Sequence, residues 1–174
     1  MLHLVGEVAG AVIGFGVALV AASPGQAALL ATLGVALLAA SLVDLETLKL
    51  PDVWTSVAAI SGAGLAWMRS PGDLAAGMAA AIIAFGLLEL VRRAFLALRR
   101  KPGLGFGDVK LVAALALWLG AATPWAVALA AGLGLVAFLA LRPAEGRLPF
   151  GPWLALAAGV VGLVQEARLW PTFG

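Results

Sequence analysis

Long apolar runs alternate along the chain with short breaks rich in proline, glycine and charge. The runs cover about residues 4–22, 26–43, 53–68, 74–91, 109–122, 125–141 and 150–164. The breaks include Ser23-Pro24-Gly25, Pro51-Asp52, Ser70-Pro71-Gly72, the basic stretch from Arg92 to Lys101, Gly103 to Gly107, and Thr123-Pro124. None of the runs shows the strict alternation of a half-buried strand, so each reads as a helix. In lipid a helix satisfies its own backbone, which makes it the default spanning form. The pattern predicts an all-α polytopic bundle of about seven transmembrane helices in one membrane-embedded domain, residues 1–174. The fifth and seventh runs fall short of the roughly 20 residues that a span needs. The first run, about 4–22, is an extra N-terminal helix beside a core of about 26–165.

Composition supports the membrane reading. Of 174 residues, 63% are hydrophobic and 11% are charged, with mean hydropathy +1.08. A soluble domain carries about a quarter charged residues. The chain has no cysteine and one histidine, His3. Disulfides and thiolate metal sites are excluded, a histidine-based metal site is not expected, and no cofactor is expected. The segment Met1 to Glu7 lacks the basic start of a signal peptide, so the first run reads as a retained span. Gly10, Gly14 and Gly132 suit close helix packing in lipid. Most of the tryptophans lie near helix ends, as interfacial anchors do.

Numbering the breaks in order places Lys49, Arg92, Arg93, Arg99, Arg100, Lys101, Lys110, Arg142 and Arg147 on one side of the membrane and Arg69 and Arg168 on the other. Basic residues concentrate in cytoplasmic loops. The first side is therefore expected to be cytoplasmic, with the N-terminus there and the C-terminus outside. The net charge of +2 reflects this topology and lipid contact rather than nucleic-acid binding.

Acids at membrane depth are costly and point to function. Asp44 ends the second run and Asp108 opens the fifth, 64 residues apart, both expected at the cytoplasmic boundary. Two adjacent carboxyls resist joint ionisation and share a proton. One then activates water while the other donates to a scissile carbonyl. Serine, cysteine and zinc mechanisms lack a histidine or thiol, and Ser41 and Lys49 are not spaced for a dyad. Gly105 and Gly107 flank Phe106 before Asp108 and permit close approach of an extended peptide backbone. Helix polarity gives Asp108 the role of base and Asp44 that of acid.

Three segments together carry a family resemblance. Val43-Asp44 with Leu50-Pro51-Asp52, Gly105-Phe106-Gly107-Asp108-Val109-Lys110-Leu111, and Leu148-Pro149-Phe150-Gly151-Pro152 resemble the motifs of the prepilin peptidases (type IV leader peptidases). The resemblance implies a G-x-G-D-type membrane aspartic peptidase whose catalytic aspartates match Asp44 and Asp108. It implies an inner-membrane enzyme that removes short basic leaders from type IV prepilin-like precursors on the cytoplasmic side. The short, peptidase-only form is the better match, so N-methyl transfer is not expected. Gly105, Gly107, Lys110 and Asp52 are candidates for shaping the site or binding substrate. Asp52 also suits a helix cap, and Lys110 suits charge balance or lipid phosphate. Glu89 precedes Arg92 and Arg93 at helical spacing and predicts a helix-surface pair. Glu46 and Glu145 suit attraction of a basic leader, and loop solvation alone also accounts for them. Two other readings stand beside this one. A presenilin-type protease would also use G-x-G-D, but its Pro-Ala-Leu motif is missing here. A small transporter or scaffold would use the acids for proton relay.

Overall fold

The computed structural model describes residues 16, 20–100, 104–141 and 148–167. The expected helix at about 4–22, with Gly10 and Gly14, lies largely outside the described residues, as do His3, Glu7, Lys101, Arg142, Glu145, Arg147 and Arg168. Among the described residues the secondary structure is wholly helical. The elements are α1 (Pro24–Thr47), α2 (Asp52–Arg69), α3 (Pro71–Arg99), α4 (Phe106–Leu119), a single 3-10 turn (Gly120–Ala122), α5 (Thr123–Leu141) and α6 (Gly151–Glu166).

Local chemistry sets the boundaries. Ser23 caps α1 by accepting from the Gln26 N–H at 3.2 Å, and Pro24 takes the first turn, where a missing N–H costs nothing. Ser70 and Pro71 repeat the device at α3, with Ser70 Oγ accepting from the Asp73 N–H at 3.0 Å. The break expected at Thr123-Pro124 falls earlier. Gly120, at φ +53°, ends α4, and the 3-10 turn leads into α5. Thr123 and Pro124 then form the first turn of α5, a place that tolerates proline.

The core is built around α4. Leu111, Val112, Leu115, Trp118 and Leu119 meet Leu30, Leu33 and Leu37 of α1, Ala58 and Leu65 of α2, and Leu154, Ala157 and Val161 of α6. Small residues let the backbones close up. A Cβ at Gly77 would collide with the Leu117 carbonyl, and one at Gly162 with the Trp118 ring. Gly132 has open space around its Cβ direction, so the packing role expected there is filled by other glycines.

Among the described residues, three segments are long and apolar enough to cross a membrane: Pro24–Thr47, Pro71–Arg99 and Phe106–Ala140. In α3 only Gly77 and Glu89 are buried. Ile82, Ile83, Leu87, Leu90 and Leu98 stand fully on the outside, a face suited to lipid rather than water. The chain is thus a membrane protein. At 29 residues, α3 is about 43 Å long at 1.5 Å per residue, which exceeds a hydrocarbon core of about 30 Å.

At the end of the bundle where α1 and α3 finish, α2, α4 and α6 begin. At the opposite end a buried polar cluster ties four helices. The Glu166 carboxylate accepts from Arg69 Nη1 (2.5 Å), Gln26 Nε2 (2.7 Å) and Trp118 Nε1 (2.9 Å). Trp118 is therefore a core residue and not an interfacial anchor.

Candidate functional site

The site lies where α1 ends and α4 and α6 begin. Asp44 occupies the last turn of α1, which runs on to Thr47, and its side chain is buried. Asp108 occupies the first turn of α4, whose cap position is Gly105. It is therefore the third helical residue, not the cap. Its carboxyl folds back over Gly105, where a Cβ would stand 2.8 Å from Asp108 Oδ2. Asp44 and Asp108 lie within electrostatic reach of each other. Together they line a cleft of about 330 Å³, with Leu48, Lys49, Leu50, Gly105, Phe106, Gly107 and Lys110 completing the wall.

Asp44 Oδ2 accepts a hydrogen bond from the Gly151 N–H at 2.9 Å. Gly151 is the first residue of α6, and Pro152 behind it has no N–H. The free donor at this helix start is thus aimed at Asp44. A helix N-terminus therefore faces each carboxyl, and helix polarity no longer separates a base from an acid. A Cβ at Gly151 would stand 2.8 Å from Asp44 Oδ2 and 3.3 Å from its Cβ and Cγ. Gly151→Ala is expected to push Asp44 aside and to slow any chemistry that Asp44 carries out about 10²-fold, as small misplacements of reacting groups do. Helix content measured by circular dichroism should stay unchanged. Full activity in this variant would show that the Gly151–Asp44 contact is dispensable.

After α1 the chain reverses at Leu48, which adopts φ +53° and ψ 32°. This left-handed conformation costs a leucine about 1–2 kcal/mol. The reversal returns Lys49 and Leu50 to the cleft wall. Leu50 closes on Gly107, where a Cβ would sit 2.8 Å from the Leu50 Cβ. Gly107 therefore admits the returning loop.

The remaining expected residues fall nearby. Pro51, not Asp52, holds the cap position of α2. The Asp52 carboxylate instead pairs with Lys110 Nζ. Lys110 also lies over the Phe106 ring, 5.0 Å from its centroid. Glu89 takes Arg92 through Nε (2.6 Å) and Nη2 (2.8 Å), and Arg93 through Nε (2.7 Å). The expected helix pair is present, but its carboxylate is buried. Ser41 Oγ donates to the Leu37 carbonyl, one helical turn back. Glu46 is exposed at the end of α1.

Sequence reasoning named Gly151 within a motif but missed its hydrogen bond to Asp44, and it missed Leu48 and the link from Glu89 through Arg92 to Phe106. The Gly151-Pro152 pair was the available signal, because it leaves one free N–H at the helix start.

Fold and site together define an all-α membrane protein with two aspartates from separate helices in one cleft. Residues 31–141 match the type IV leader peptidase family, and the chain belongs to that family. It is 38% identical over 136 residues to a type 4 prepilin-like proteins leader peptide-processing enzyme of Escherichia coli, covering 75% of this chain and 49% of that one. It is 39% identical over 120 residues to leader peptidase HopD of Escherichia coli, covering 65% of this chain and 77% of HopD. A prepilin leader peptidase/N-methyltransferase of Burkholderia pseudomallei is 40% identical over 126 residues, 69% of this chain and 41% of that one. The chain thus spans about half the length of the first and third of these relatives. No solved structure matches it.

Proposed function

We propose that the chain is an aspartic endopeptidase of the inner membrane that removes short basic leaders from type IV prepilin-like precursors. The observation that carries this reading is the placement of Asp44, in the last turn of α1, and Asp108, in the first turn of α4, in one cleft. The names of the relatives support the substrate class.

In this mechanism the two carboxyls hold a water between them and share one proton. The ionised carboxyl takes a proton from water as it attacks the scissile carbonyl. The protonated one donates to the carbonyl oxygen, and proton return to the amine releases the leader. Gly151 N–H holds Asp44 in place. Gly105 and Gly107 let Asp108 and Leu50 close on this turn, and the cleft that they line is where an extended substrate backbone would lie. Lys110 is neutralised by Asp52, which leaves it to shape the wall rather than bind a lipid phosphate.

The cleft faces the cytoplasm in this reading. Lys49 and Lys110 line it, and Arg92, Arg93, Arg99 and Arg100 lie on the last turns of α3 or just past them, at the same end. Arg69 is at the other end, in the cluster with Glu166. That bias follows the positive-inside rule.

The test is incubation of the detergent-purified protein with a prepilin-like substrate that carries a basic leader before an apolar helix. A single cut at the leader junction is expected, read by mass spectrometry. No cut in any of several such substrates, together with proton flux in proteoliposomes, would favour a transporter instead.

A further inference from the structure

Gly105 and Gly107 have no side chains, so within the segment Gly105 to Gly107 the side chain that can anchor the turn is that of Phe106. Its ring is 45% exposed, yet it is held from three directions. Phe85 of α3 meets it edge-on, with centroids 6.2 Å apart and planes at 72°. The Arg92 guanidinium of α3 lies over it, 5.2 Å from the centroid. Lys110 lies over it at 5.0 Å and is itself tied to Asp52 of α2. Such stacking of cations on a ring is attractive, and more so away from water.

Arg92 is fixed in turn by Glu89. Two of its nitrogens, Nε and Nη2, reach the two oxygens of that carboxylate, a forked pairing that sets the guanidinium plane. Glu89 also takes Arg93, and its side chain is 12% exposed. Glu89 and Gly77 are the two buried residues of α3, so this acid is turned toward the bundle while the apolar residues of α3 face outward. A role in lipid contact does not account for it.

We propose that Glu89, Arg92 and Phe106 are positioning residues for Asp108. Glu89 orients Arg92, Arg92 and Lys110 grip the Phe106 ring, and the ring holds the Gly105–Asp108 turn at the cleft. This rests on the peptidase reading for its catalytic consequence, but the ordering of the turn stands apart from it.

The test uses the full chain in detergent with Glu89→Gln, Arg92→Met, Phe106→Leu and Phe106→Tyr, each checked by its melting temperature. Hydrogen exchange of the segment 104–110 is expected to speed up about tenfold or more in the first three variants. Their kcat on a prepilin-like substrate should fall about tenfold or more, with KM unchanged within about twofold. Phe106→Tyr keeps the ring face and should match wild type in both readouts. A structural role alone would lower the melting temperature in step with kcat, whereas a positioning role lowers kcat with KM and melting temperature held. Unchanged exchange in Glu89→Gln and Arg92→Met would overturn the proposal. So would a raised KM with normal kcat in Phe106→Leu, which would make the ring a substrate contact. If wild type cuts nothing, the peptidase reading fails, while the exchange rates still decide the positioning role.

Discussion

Asp44→Asn and Asp108→Asn are each expected to reduce leader cleavage by about 10²–10⁴-fold, the range over which positioned acids and bases contribute. Asparagine keeps the size of the side chain and much of its hydrogen bonding, so the fold should survive. At Asp44 the amide oxygen can still accept from Gly151 N–H. What is lost is the titratable proton. If the two carboxyls act as one unit, as proposed, the double variant should be little worse than either single one. That non-additivity is the sharper measurement. Additive losses in single-turnover assays would mean that the two groups act in separate steps. Single variants that cut as well as wild type would remove both from the mechanism.

The largest stability effect is expected at the other end of the bundle. Glu166→Ala should destabilise the protein by about 3 kcal/mol, the lower end of the cost of breaking a buried ion pair. The lower end applies because the Arg69 side chain is 22% exposed while that of Glu166 is 2% exposed. The change leaves the Arg69 charge without its partner and strips an acceptor from Gln26 and Trp118. Glu166→Gln keeps one oxygen for these donors and should cost less. Thermal melting in detergent reads both. Since the cluster sits far from the cleft, kcat below the melting transition should be retained. A melting temperature equal to wild type in Glu166→Ala would show that the cluster adds nothing to stability.

The helices were legible because punctuation is strong in this chain. Ser23-Pro24 and Ser70-Pro71 mark helix starts by a mechanism that needs no tertiary contact: a hydroxyl accepts from a free N–H, and proline fits the first turn. Thr123-Pro124 misled for the same reason. Proline there opens α5, while the break belongs to Gly120 three residues earlier. The two aspartates were also legible, because an apolar chain with few acids leaves few groups able to do chemistry. The assignment of base and acid from helix polarity did not carry over. It treated Asp44 as belonging to one helix, whereas the start of α6 also faces it.

Asp52 and Lys110 show a further limit. The sequence offered a helix cap or a substrate contact for Asp52, and charge balance at the site or lipid phosphate for Lys110. Their pairing joins α2 to α4 across 58 positions of sequence, and no local pattern announces it. The same holds for Glu89, whose spacing to Arg92 and Arg93 was readable while its burial and its reach to Phe106 were not.

The sequence by itself therefore determined that this is a helical membrane protein, roughly where its helices begin and end, and which two acids deserve attention. These follow from hydropathy, from backbone chemistry at helix ends and from the cost of charge in lipid, all of which act within a few residues. Only the tertiary structure decided what surrounds those acids: Gly151 N–H on Asp44, Leu50 on Gly107, Arg92 on Phe106, and Glu166 at the far end. The reason is physical. Helix α4 is apolar on nearly every side and carries no stripe to say which neighbour lies where. Which helices adjoin depends on the fit of small residues and on pairings between distant polar groups, and these exist only once the bundle has closed.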